Sequence, residues 1–172
     1  MHPSRCLIAL LFASSLGTSA DAADLAGRVL RIVDGDTFVM DVRGAQYQVD
    51  IASIDAPESN QPWGDVAAAT LSGTLSGRFV VVETTQLAAG RARGRVTVRG
   101  RDVGLDLLYD GLAWATVQFE PPLSLQPPEQ RADHPYLRAE QEARLGRRGL
   151  WRDARPLPPW QWRRPQQLPP AG

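Results

Sequence analysis

The sequence predicts an α+β domain: a small closed barrel of five strands with about three helices packed on it. Three observations carry that expectation. Two tight-turn signals, Asp34-Gly35 and Arg43-Gly44, separate short strand-like runs, which makes a three-stranded meander. Two further strand-like runs follow. Helical spacing enters only after the third and the fifth strand. Five strands in that order suit an OB-type barrel, although periodicity alone does not separate it from other α+β folds.

Each element has its own reason. Gly27 to Val33 and Thr37 to Val42 are the first two strands, joined at Asp34-Gly35. Gln46 to Ser53 alternates, with Gln46, Gln48 and Asp50 on one face and Tyr47, Val49 and Ile51 on the other. Pro57 ends the meander because proline cannot continue a ladder. Ala67, Leu71 and Leu75 recur at helical spacing between Asp65 and Leu75, and Gly77 stops that helix. Phe79 to Val82 reads as a buried strand, and Arg95 to Arg99 as an alternating one with Val96 and Val98 inward. Asp102 is placed to N-cap a short helix that Gly111 closes. Leu112 to Phe119 reads as extended. Pro135 opens a last helix with Tyr136, Ala139 and Ala143 on one face and a Glu140–Arg144 pair.

Composition narrows the chemistry. Arg5, the apolar run from Cys6 to Leu16 and the small residues Ala20-Asp21-Ala22 read as a signal peptide over 1–22. The run is too short to span a membrane, which takes about 20 apolar residues. The expected organisation is therefore a leader at 1–22, a domain at 25–152 and a tail rich in proline and tryptophan at 153–172. Periplasmic or secreted location and a monomeric state follow as expectations. The part after the leader has no cysteine, so no disulfide and no thiol chemistry. His2 and His134 cannot make a histidine metal site, which leaves a hard cation held by oxygens. A net charge of zero argues against indiscriminate coating of nucleic acid. There is no lysine, and the arginines form two clusters, Arg91–Arg101 and Arg138–Arg164. That pattern suits phosphate and surface ion pairs equally.

The candidate site lies in two acidic segments, Asp34-Gly35-Asp36-Thr37 and Ile54-Asp55-Ala56-Pro57-Glu58. Taken with Pro62-Trp63-Gly64, Arg93-Gly94-Arg95, Gly111-Leu112-Ala113, the closing Glu140…Ala143-Arg144…Gly149-Leu150-Trp151 and the tail Pro159-Trp160-Gln161-Trp162-Arg163, the chain resembles the staphylococcal nuclease (thermonuclease) family, in its exported bacterial form. The resemblance implies an OB-fold barrel with three helices and descent from a calcium-dependent nuclease. It implies Ca2+ held by Asp36, Asp55 and the backbone carbonyl of Ala56, and a water-activating Glu58. It implies a phosphate contact at Arg95. The plain alternative is that Asp34, Asp36 and Asp55 shape turns.

The resemblance breaks at position 50. The family's second phosphate-binding arginine belongs five residues before Asp55, and Asp50 stands there. Arg93 replaces a tyrosine near the phosphate, and Val117 and Phe119 replace tyrosines that contact the nucleotide. A transition-state arginine in phosphoryl transfer is worth roughly 10³–10⁵ in rate, so hydrolysis of nucleic-acid phosphodiester bonds is expected to be impaired. Arg93 is the candidate substitute phosphate contact. The alternative is a non-catalytic OB-fold module that binds DNA, RNA or an envelope protein.

Overall fold

The computed structural model describes residues 24–120 and 123–164. The leader expected at 1–22 and the residues from 165 onward lie outside the described residues. Three strands come first: β1 (Leu25–Ile32), β2 (Thr37–Val42) and β3 (Ala45–Ile51). A two-residue strand β4 (Ile54–Asp55) and helix α1 (Gly64–Leu75) follow. Next come β5 (Phe79–Ala88), β6 (Arg91–Val98), β7 (Arg101–Asp102) and helix α2 (Val103–Tyr109). The rest comprises β8 (Trp114–Ala115), short helical turns at Val117–Phe119 and Leu123–Leu125, α3 (Pro128–Arg131), α4 (Pro135–Leu145), a turn at Gly149–Arg152 and α5 (Pro159–Trp162).

Strands run in the order β3-β2-β1-β5-β6, and a parallel pairing of β3 with β6 closes the ring. Register shifts in β1 between Val29 and Arg31 and in β5 between Thr84 and Gln86 mark local irregularities of the ladder. Such bulges increase twist and bend a sheet enough to close it. Arg43 at φ 54° and Gly44 at φ 90° make the β2–β3 hairpin with both central residues left-handed, as a type I′ turn demands. Phe38, Met40, Val49, Ile51, Val80, Val82 and Val96 are buried inside and share one core with Ala67, Leu71 and Leu75 of α1. No helix among the described residues is long and apolar enough to cross a membrane.

Most expected elements recur, with three differences. The Phe79–Val82 run alternates rather than being buried throughout: Val80 and Val82 face the core, whereas Phe79 and Val81 are exposed. As barrel wall, β5 has one face in water, so its run of apolar residues does not mean two buried faces. Leu112–Phe119 is extended only at Trp114–Ala115, because β4 offers just two residues to pair with. Beyond that ladder the Thr116 N–H donates to the Ser53 carbonyl and the chain coils into a helical turn. Gln46–Ser53 stops at Ile51, and Ser53 takes φ 65°, which redirects the chain into β4. The Asp102 cap is present, its carboxylate accepting from the Leu105 N–H at 3.0 Å. Asp102 also accepts from the Tyr136 hydroxyl at 2.9 Å, which ties α4 to α2.

Candidate active site

A cavity of about 350 Å³ opens where the end of β3, the Asp34–Thr37 turn and the β4 segment meet. Local sequence dictates that meeting. Gly35 packs so close that a Cβ there would lie 2.7 Å from that of Ala56 and 2.8 Å from that of Ala67. Any side chain at position 35 would push the first acidic segment off the second. Likewise a Cβ on Gly64 would stand 1.9 Å from the Glu58 carbonyl. Trp63, at φ 75°, turns the chain into α1 directly beneath that carbonyl. The Glu58 N–H donates to the Gln61 side chain at 3.2 Å, and the Gln61 N–H returns a bond to the Glu58 carbonyl at 2.8 Å. Glu58 thus rides on a self-bonded loop.

The acidic side chains gather as expected. Asp36, Asp55, Ala56 and Glu58 all line the cavity, together with Asp34 and Asp50. Asp36 accepts from the Ala56 N–H at 2.7 Å and from the Thr37 hydroxyl at 3.2 Å. Burial holds the Asp36 carboxyl well above the usual carboxylate range. The Ala56 N–H opposes that shift, and the charges of Asp34 and Asp55 add to it. A cation would relieve that frustration. The donors are hard oxygens, which suits calcium. Among the described residues no group of three or more acidic, histidine or cysteine side chains is gathered as a metal cage. Of the oxygens that the resemblance assigns to a cation, the Asp36 and Asp55 carboxylates and Ala56 all line the cavity.

Asp50 sits where the sequence puts it, on the cavity wall, but it has partners. It pairs with Arg91 at 3.3 Å and accepts from the Thr37 hydroxyl at 3.3 Å. The arginines divide differently from the expectation. Arg93 lies opposite Asp50 in the β3–β6 register and lines the cavity, held by Glu120 at 2.9 Å. Arg95 does not line it. Its guanidinium is bound to Asp102 at 2.8 Å and Glu83 at 3.2 Å, and those bonds, Asp102 first, raise its pKa above the ordinary value. A phosphate contact by Arg95 would require it to leave both partners.

Two site residues escaped the sequence reading. Glu120 accepts from Ser53 at 2.8 Å, Thr116 at 3.3 Å and Arg93, and so closes one side of the cavity. Arg163, from the tail, enters the cavity and forks onto Asp55 at 3.1 and 2.7 Å while reaching Glu58 at 2.6 Å. Hydrogen bonding to Asp55, and then to Glu58, holds its pKa above that of a free guanidinium. The only signal for Arg163 in the sequence was the Pro-Trp-Gln-Trp-Arg string, which says nothing about where a tail folds back.

Residues 48–153 match the family described as staphylococcal nuclease homologue. The chain is 37% identical to a protein named ParB of Escherichia coli, over 83% of this chain and 81% of that one. It is 38% identical to an uncharacterised endonuclease of Escherichia coli O157:H7, over 82% of this chain and 86% of the relative. It is 34% identical to the micrococcal nuclease of Shigella flexneri, over 83% and 82%. Relatives so named support a nuclease function. With a closed five-stranded barrel, the paired acidic segments at its mouth and a match across most of its length, the chain belongs to the staphylococcal nuclease family.

Proposed function

We propose that the chain is an exported, calcium-dependent nuclease that hydrolyses phosphodiester bonds in DNA or RNA. The observation that carries this reading is the convergence of Asp36, Asp55 and Glu58 with two guanidinium groups, Arg93 and Arg163, in one cavity. Carboxylates alone would repel a phosphate; carboxylates with arginine forks can hold one.

In this reading Glu58 accepts a proton from a water as its oxygen bonds to phosphorus. The opposite P–O ester bond breaks, and the leaving oxygen takes a proton from solvent. A bound cation supplies charge neutralisation at the phosphate. Asp36, Asp55 and the Ala56 carbonyl would hold it, with Asp55 sharing its oxygens with Arg163. The β4–β8 ladder, pairing Asp55 with Trp114, keeps the Asp55 backbone fixed. Phe119, exposed at the cavity edge, offers an aromatic face for base stacking. Asp50 still sets an anion on the wall, so the reaction runs slower than with an arginine at that position. Arg91 and Thr37 temper the penalty. Export rests on the sequence of residues 1–22, and the expected site of action is outside the cytoplasm.

Purified protein at high loading, with single-stranded DNA in millimolar calcium and a chelated control, tests the proposal. Calcium-dependent fragments are expected. Salt-dependent binding without cleavage would favour the non-catalytic module instead.

A further inference from the structure

We infer that Arg163, delivered by the C-terminal tail, is the phosphate-binding guanidinium that position 50 lacks; this deepens the nuclease reading above and rests on it. The first ground is that the described part of the tail is seated from Leu157 to Trp162. Gln61 is buried and its side-chain amide donates to the Leu157 carbonyl. The indole N–H of Trp162 donates to Asn60 at 3.0 Å, on the loop that carries Glu58. Trp160 packs edge-on against Trp114 and Phe119, with ring centroids 6.3 and 6.1 Å apart. Pro159 is buried. Seated contacts on both sides of the cavity mouth fix the position from which Arg163 reaches in.

The second ground is the geometry of the guanidinium. It has five N–H groups in a planar fork. The Nη1 and Nη2 groups bind Asp55 and Glu58. The Nε–H and the second Nη2–H have no partner among the described residues, and the side chain is 51% exposed. One edge is thus anchored beside the attacking-water residue while the adjacent edge is free. Two parallel N–H donors of that kind match two phosphate oxygens. The third ground is placement: Arg91, paired with Asp50, and Arg95, paired with Asp102 and Glu83, do not line the cavity, whereas Arg163 does. Among the described residues only Arg93, itself held by Glu120, shares the cavity with Arg163.

The test compares wild type, Arg163→Ala, Arg163→Lys and the double variant Arg163→Ala/Asp50→Arg. Each is measured for melting temperature, for cleavage of single-stranded DNA in calcium, and for binding of a phosphorothioate-linked oligothymidine at several salt concentrations. Arg163→Ala is expected to stay folded and to lose roughly 10³-fold in cleavage. Its affinity for the probe should fall about tenfold or more, and the salt slope by about 0.7. Lysine should restore the salt slope but not the full rate, and Asp50→Arg should recover affinity. If Arg163→Ala does not fold, the lysine variant carries the same comparison of rate against salt slope. Unchanged affinity and salt slope would overturn the inference. So would faster cleavage by Arg163→Ala, which would make the tail a plug. A wild type that binds the probe through Arg163 yet cuts nothing would sink the hydrolysis reading and leave this contact standing.

Discussion

Arg163 and Asp55 stand 108 residues apart in the chain and meet as fork and carboxylate, Nη1 to Oδ1 at 3.1 Å and Nη2 to Oδ2 at 2.7 Å. The contact makes the tail part of the site rather than an appendage. It places a positive group beside the carboxylates expected to hold a cation and activate water.

Asp50 should be the next position to respond. Asp50→Asn removes an anion from the cavity wall and breaks only the half-exposed pair with Arg91. Stability should change by about 0–1 kcal/mol. Oligonucleotide affinity should rise roughly fivefold, on the order of 1 kcal/mol. Titration by fluorescence anisotropy checks this, and a fall in affinity would contradict it.

Calcium should stabilise the fold. A ligand present at a hundredfold excess over its Kd adds about 2.7 kcal/mol by mass action. Thermal melts with and without calcium should differ for wild type and coincide for Asp36→Asn and for Asp55→Asn.

Gly64 should tolerate no side chain. Its added Cβ would meet the Glu58 carbonyl at 1.9 Å. Overpacking of this kind costs about 1–3 kcal/mol, so Gly64→Ala should lower the melting temperature and, by displacing Glu58, slow cleavage as well.

His134 should give the stability a pH dependence. Its Nδ1 caps α4 by accepting from the Tyr136 N–H at 3.2 Å, and its ring packs edge-on against Tyr136. Desolvation lowers its pKa below 6.5. A depressed value means the contribution is present above the ordinary pKa and is lost as pH falls through the depressed one. The cap is worth about 1 kcal/mol. His134→Asn, which caps without titrating, should flatten that part of the stability profile between neutral and mildly acid pH.

Much of this was legible along the chain. Asp34-Gly35, Arg43-Gly44 and the alternation around Val49 specify hairpins through local rules, so the meander could be read directly, whereas the grouping of Asp36, Asp55 and Glu58 was implied by the family resemblance. Asp102 and Gly111 marked the ends of α2 for the same reason. The two halves of the phosphate clamp could not be read so well. Arg95 and Arg93 lie on the same face of β6, and only tertiary partners, Asp102 for one and Glu120 for the other, decide which of them looks into the cavity. Arg163 depends on a long-range return of the chain, fixed by Gln61, Asn60 and Trp114, that no local pattern encodes.

In the proposed calcium-dependent phosphodiester hydrolysis at this cavity, Glu58 acts as the base. Single-turnover cleavage of single-stranded DNA by wild type and by Glu58→Gln, at equal calcium and matched melting temperature, addresses it most directly. A loss of about 10²–10⁴ in rate with binding retained is the predicted result. Equal rates for the two proteins, or no cleavage by wild type at any loading, would contradict it.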